Sequence, residues 1–183
     1  MTILNCNNED IDEIFRLYKI ASDYQRTKKT VVVWPNFKRD LVATEVIENR
    51  QWKLMINGEI ACVWAITFTD EQIWEERNKD NAMYIHRIAT NPKFRGNNFV
   101  SLIVNWAINF AKSNHIKFIR LDTLGNNVKL IEHYKNAGFT FLGMFQLKNT
   151  DGLPEHYHEA PVCLFEINLN AHLSFLKCIQ NKN

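Results

Sequence analysis

Residues 90–106, TNPKFRGNNFVSLIVNW, carry a turn of Pro, Arg, Gly and paired Asn directly into a long apolar helix. That helix, expected from about Phe99 to Asn114, is apolar on nearly every face, so it must be well buried. Ahead of the turn, AMYIHRIAT (82–90) reads as a strand. A strand feeding a buried helix through a short turn belongs to a layered α/β arrangement.

The rest of the chain supplies the other layers. NEDIDEIFRLYKIAS (8–22) opens with a capping signal, and Ile11, Ile14, Phe15, Leu17 and Tyr18 follow at helical spacing. FKRDLVATEVIENR (37–50) is a second helix. Two strand-like runs between Gln51 and Phe68 flank Asn57-Gly58, a strong hairpin signal because a type I′ turn needs positive φ at both central residues. DEQIWEERNKDN (70–81) reads as a polar, solvated connection with Trp74 packed on the nearest surface; the alternative is that its acidic part, Asp70 to Arg77, attracts a cationic amine. KFIRLDT (117–123) is a strand, and NNVKLIEHYKNAGF (126–139) is a helix stopped by Gly138 at its C′ position. TFLGMFQL (140–147) and PVCLFEINL (161–169) are the last two strands. This order gives an α/β fold with a mixed sheet, in one domain over residues 1–169. Residues 170–183 form a tail, with a short helix as one option.

Composition narrows the function classes. The 183 residues are 46% hydrophobic, enough for one sizeable core, and the net charge of +2 argues against a dedicated nucleic-acid binder. Cys6, Cys62, Cys163 and Cys178 form no C-x-x-C pair and read as reduced thiols of a cytoplasmic protein. The first residues show no signal-peptide pattern. No apolar run reaches the roughly 20 residues of a membrane span, so no membrane partner is expected.

The turn before the buried helix can hold an anion. The first N–H groups of a helix lack internal partners, and the helix dipole adds partial positive charge there. Arg95 brings a fixed charge, Gly96 admits close approach, and Asn97 and Asn98 tolerate left-handed backbone that forms a nest of N–H groups. The plainer alternative is a helix capped by Asn98 with an exposed arginine.

RIATNPKFRGNNFVSLIVNWA (87–107) resembles the acyl-CoA signature of the GNAT acetyltransferase superfamily, in which Arg/Gln-x-x-Gly-x-Gly/Ala opens a helix. Arg95 matches the Arg/Gln, while Asn98 and Val100 stand at the two small positions. NNVKLIEHYKNAGF is similar to the family's later helix, with Asn127, Tyr134 and Gly138-Phe139 in place. The resemblance runs over residues 1 to 169. It implies a mostly antiparallel sheet with two splayed parallel strands and helices on both faces.

It further implies acetyl-CoA as co-substrate. The pantetheine arm would bond the backbone of Ile88, Ala89 and Thr90. The diphosphate would sit on Arg95, Gly96, Asn97, Asn98, Phe99, Val100 and Ser101, with Asn127 also counted among the cofactor-binding residues. Acetyl would pass directly to a small amine or a peptide amine, with a strand N–H near Ile88 stabilising the carbonyl oxygen. Tyr134 would protonate the leaving thiolate. His86 is the candidate base: strand alternation places Tyr84, His86, Ile88 and Thr90 on one face, and a histidine titrating near neutral pH suits that work. A CoA-binding domain without catalysis is the alternative reading.

Weaker features remain. His156 and His158, with Glu155 and Glu159, lie in one loop, but no complementary ligand set accompanies them and no metal is expected. The same loop is a candidate wall for the acceptor. The RTKKT segment (26–30) reads as a solvated basic loop that could meet the CoA 3′-phosphate, and Trp34 and Trp52 as core or pocket wall. The final strand or the tail could pair two chains into a homodimer.

Overall fold

The computed structural model describes residues 1–28, 32–148, 150, 153, 157–158 and 161–170. A seven-stranded sheet forms its centre. In chain order the elements are β1 (Thr2–Asn5), α1 (Ile11–Arg26), α2 (Arg39–Ile47), β2 (Gln51–Ile56), β3 (Glu59–Thr67), α3 (Glu71–Trp74), β4 (Ala82–Thr90), α4 (Phe99–Ser113), β5 (Phe118–Leu124), α5 (Val128–Asn136), β6 (Thr140–Phe145) and β7 (Val162–Asn168). The strand order is β1-β2-β3-β4-β5-β7-β6. All neighbours pair antiparallel except β4 and β5, which are parallel.

Local chemistry explains most boundaries. The β2–β3 hairpin turns on Asn57 (φ 50°) and Gly58 (φ 80°), the positive pair that a type I′ turn requires. Asn127 caps α5 by accepting the Leu130 N–H at 3.2 Å. The same helix ends on Gly138 at φ 106°, where the Phe139 N–H donates to Tyr134 O and the Gly138 N–H to Lys135 O. This pair of bonds satisfies carbonyls that the helix end would otherwise leave open.

Two apolar layers sandwich the sheet. On one face α4 buries Phe99, Val100, Ile103, Val104, Ala107 and Ala111 against Cys62, Trp64, Ile66, Met83 and Ile85 of β3 and β4. Trp52 belongs to this core, its ring 4.6 Å from that of Trp106. On the other face α1 and α2 cover Val63 and Ala89.

Three expectations need correction. An edge strand, β1, precedes the first helix; four residues of mixed polarity gave it no readable alternation. The segment after β3 is not a solvated connection, because it contains α3 and buries Ile73 and Trp74 against Tyr84, Val162 and Leu164. The Arg120 guanidinium lies 4.8 Å from the Trp74 ring. The third correction concerns β4. Val63 opposes Ala89 and Ala65 opposes His86, so Arg87 and Ile88 together face Trp64 alone. Arg87 takes φ 51° at this bulge. The extra residue reverses the alternation beyond it. Tyr84, His86, Ile88 and Thr90 therefore do not share one face: Ile88 joins the α4 layer, and Ala89 joins the α1–α2 layer.

The bulge has a buried anchor. Arg87 donates to Glu45 of α2 at 2.6 Å, and its guanidinium lies 5.2 Å from the Phe37 ring centroid. Glu45 is 2% exposed. Beyond the bulge, β4 has left β5. The parallel pairing covers only Ala82–Tyr84 against Phe118–Arg120, although the strands continue to Thr90 and Leu124. The resulting gap lies outside the carboxyl ends of parallel strands, where α/β sheets commonly hold ligands.

Among the described residues, no helix is long and apolar enough to cross a membrane. Cys6, Cys62 and Cys163 are free, while Cys178 and all but the first residue of the 170–183 tail lie outside the described residues.

Candidate active site

Two neighbouring cavities follow the gap. The outer one, about 480 Å³, is walled by the turn from Phe94 to Ser101, by Thr90, and by the C-terminal part of α5. Gly96 (φ 86°) and Asn98 (φ 48°, ψ 49°) are both left-handed. The plain cap does not form. Asn98 uses its side-chain amide to donate to Ser101 Oγ at 2.8 Å, and Asn97 donates to Phe94 O. The Arg95 N–H bonds Pro92 O and the Ser101 N–H bonds Asn98 O, and the amides of Gly96 to Val100 between them have no partner among the described residues. Phe99 and Val100 turn their side chains into the core, so a valine at the family's small position leaves the cradle open. The Arg95 guanidinium and Lys28 Nζ lie 4.9 and 4.8 Å from the Tyr24 ring centroid, which brings the RTKKT side of α1 to the same turn.

The inner cavity, about 410 Å³, occupies the gap itself. Ile88 lines it and Thr90 lines the outer one, so the β4 segment Ile88–Ala89–Thr90 runs from one to the other. Past Tyr84, the edge of this segment that faces β5 has no ladder partner. Asn127 lines neither cavity, its side-chain oxygen being used to cap α5.

Tyr134 points into the inner cavity from α5, its ring 5.2 Å from that of Phe165. Burial, then the Asp122 and Cys62 side chains, push its hydroxyl above the ordinary tyrosine value, so it holds its proton at neutral pH. His86 also lines this cavity. Its Nε2 lies 3.1 Å from Thr67 Oγ1 and 3.7 Å from Asp70 Oδ2. It does not titrate near neutral pH as expected: burial and then the Arg87 and Arg50 charges push it down to about 3. A ring that resists protonation this strongly is a weak base.

Two carboxyls behave in the opposite sense. Asp70 is pushed up to about 8 by burial and then by the Asp122 charge. Asp122 is pushed up to about 6 by burial, partly offset by the Tyr157 hydroxyl, which donates to Asp122 Oδ2 at 3.2 Å. Asp70 Oδ2 is buried and has no hydrogen-bond partner among the described residues. Ligand atoms of Asp70, His86 and Asp122 lie within 4.8 Å of one another. The sequence alone marks Asp70 only as part of an acidic segment that could attract a cationic amine, and does not single out Asp122. The readable sign for Asp122 was a carboxylate on KFIRLDT, a strand expected to enter the sheet; the burial of Asp70 had none, since it opens a charged segment. Of the loop expected as an acceptor wall, Leu153 and Tyr157 line the cavity, while Glu155, His156 and Glu159 lie outside the described residues. Trp34 is cavity wall, its ring 5.9 Å from both Tyr18 and Phe37.

A sequence model described as "Acetyltransferase (GNAT) family" matches residues 11–139. The chain belongs to the GNAT acetyltransferase family. It is 27% identical over 77 residues to the uncharacterized N-acetyltransferase YesJ of Bacillus subtilis (strain 168), covering 40% of this chain and 41% of that protein. It is 27% identical over 151 residues to the uncharacterized N-acetyltransferase MJ1207 of Methanocaldococcus jannaschii, covering 75% of this chain and 60% of that protein. The chain thus spans less than two thirds of either relative's length. Among solved folds, a GNAT-family acetyltransferase of Listeria monocytogenes 4b F2365 superposes with TM-score 0.73 at 20% identity, over 91% of this chain and 94% of that one. The aminoglycoside acetyltransferase AAC(6')-Ib, solved with coenzyme A and kanamycin, superposes with TM-score 0.67 at 15% identity, over 93% and 95%. The GNAT fold expected from the two motifs is therefore the fold of this chain.

Proposed function

We propose that this protein is an N-acetyltransferase that moves an acetyl group from acetyl-CoA to a primary amine by direct attack. The observation that carries the proposal is the continuity of the two cavities along Ile88–Thr90. The outer one offers Arg95 and amides without partners among the described residues to a diphosphate, and Tyr134 lines the inner one, toward which a thioester held in that cradle would extend. The family membership and the solved relative that holds coenzyme A support the same co-substrate. Residues 1–169 form the acetyltransferase unit, as the sheet running from Thr2 to Asn168 suggests.

In this reading the free β4 edge hydrogen-bonds the pantetheine amides, and a bulge N–H stabilises the carbonyl oxygen as it gains charge. The amine must be neutral to attack, so one proton leaves it through the group formed by Asp70, His86 and Asp122. Its nitrogen bonds the acetyl carbon, and the tetrahedral intermediate then breaks the C–S bond. The thiolate takes a proton from Tyr134, whose hydroxyl is restored by the second proton of the attacking nitrogen.

Release of CoA thiol from acetyl-CoA across an amine panel tests the activity. Tyr134→Phe should lower kcat by about 100-fold, the smaller end of general-acid effects, while the calorimetric Kd for CoA stays unchanged. An unaltered kcat removes Tyr134 from the mechanism. CoA binding without thiol release on any amine selects the non-catalytic CoA-binding alternative.

A further inference from the structure

The acceptor is open within the reading just given, and the inference here rests on that reading. The inner cavity is walled by Trp34, Phe37, Leu41, Ile73, Leu153 and Tyr157 around a polar floor. Its acidic residues, among the described ones, are Asp70 and Asp122. Its cation Arg87 is paired to the buried Glu45 and turned toward α2. The volume of about 410 Å³ lies near the small end of ligand-sized pockets.

We propose that the acceptor is a hydrophobic monoamine, a single primary ammonium on an apolar or aromatic body, and that Asp122, backed by Asp70, binds this ammonium and removes its proton. Three observations meet at this assignment. Asp70 Oδ2 is buried with no hydrogen-bond partner among the described residues, so a donor on the ligand would complete it. Both carboxyls are on the wall that also carries Tyr134, whose hydroxyl feels the Asp122 charge. Apart from Gln25, His86, Arg87 and Thr123 the remaining wall is aromatic and aliphatic, and among the described residues it offers no third carboxylate to a further ammonium of a polyamine or aminoglycoside.

The charge balance is consistent. The groups facing Asp122 are Asp70 and His86, with Tyr134, Tyr157 and Cys163, while Arg87 lines the same cavity but is paired to Glu45. Burial raises both carboxyls and the Asp122 charge raises Asp70 further, so at neutral pH the pair carries less than its full two negative charges while His86 stays neutral, which suits a single ammonium. Asp122 takes one proton of the ammonium, and the neutral amine attacks. After the C–N bond forms and the C–S bond breaks, the nitrogen's second proton reaches the thiolate through Tyr134. The proton on Asp122 then passes to solvent.

The test compares kcat/KM for 2-phenylethylamine, hexylamine, spermidine, kanamycin and a short peptide with a free N-terminus. The monoamines should exceed spermidine and kanamycin by at least about 100-fold. Asp122→Asn should lose about 100-fold or more in kcat/KM for 2-phenylethylamine while keeping its CoA affinity, which shows that it is folded. Leu41 is exposed at the cavity wall. Leu41→Glu places a second anion there and should shift relative kcat/KM toward 1,6-diaminohexane over hexylamine. Preference for the polycations or the peptide overturns the monoamine assignment and leaves the acetyltransferase reading standing. Turnover that depends on a divalent cation, or an Asp122→Asn enzyme with full activity, overturns the role of the pair. Thiol release with none of the amines overturns both readings together.

Discussion

Replacing Glu45 by Gln tests what holds the β4 bulge. Glu45 is 2% exposed and accepts two short bonds from Arg87, whose side chain is 14% exposed. Removing one member of a buried ion pair strands the other charge and costs about 3–5 kcal/mol. Glutamine keeps one oxygen for Gln51 Nε2, which donates to Glu45 at 2.8 Å, so the lower end applies, about 3 kcal/mol. Arg87 also holds a left-handed backbone that is unfavourable by about 1–2 kcal/mol for a residue with a Cβ, and loses its strongest anchor. For a chain of this size about 3 kcal/mol corresponds to a fall in Tm of roughly 6–12 °C. Urea denaturation followed by circular dichroism reads the change as a lower midpoint at unchanged m. The double variant Glu45→Met/Arg87→Met removes both charges from a site bordered by Tyr18 and Phe37, and should recover to within about 1 kcal/mol of wild type. A single variant within about 0.5 kcal/mol of wild type, or a double no better than the single, refutes the claim that the pair secures the bulge.

Three further outcomes follow from the same geometry. Gly96→Ala meets no atom within 4 Å but must keep φ 86°, so stability should drop by about 1–2 kcal/mol, and CoA affinity, read by calorimetry, should fall about tenfold as the methyl narrows the cradle. Asp70→Asn removes a carboxyl whose pKa is raised in the fold. The unfolded chain ionises this group near its ordinary value and the folded chain only near 8, so its ionisation opposes folding increasingly as pH climbs through that window. The variant's Tm, relative to wild type, should thus be higher at pH 8 than at pH 4; a pH-independent difference contradicts it. Tyr157→Phe deletes the hydroxyl that favours ionised Asp122, so the midpoint of the acid limb of kcat/KM should move upward from about 6; a downward or absent shift dissociates Asp122 from the limb.

By itself the sequence determined the elements whose signals are local. Asn57-Gly58 dictates its hairpin because few other pairs accept two positive φ values. Asn127 and Gly138 bound α5 through bonds made within a few residues. The Arg95–Ser101 turn could be read as an anion cradle because its essential donors are main-chain amides, present whatever the side chains are. Tertiary structure alone decided the floor of the inner cavity. A strand pattern cannot announce the Arg87 bulge, since the φ of that residue is fixed by Glu45, which is 42 positions away. The bulge moved Ile88 to the other face and undid the alternation that had grouped it with His86. Sequence likewise gave His86 an ordinary histidine and Asp70 an ordinary surface carboxylate. Burial, beside the Arg87 and Arg50 charges, drove the first down, and burial beside the Asp122 charge drove the second up, because a pKa is a property of the surroundings that the folded chain assembles.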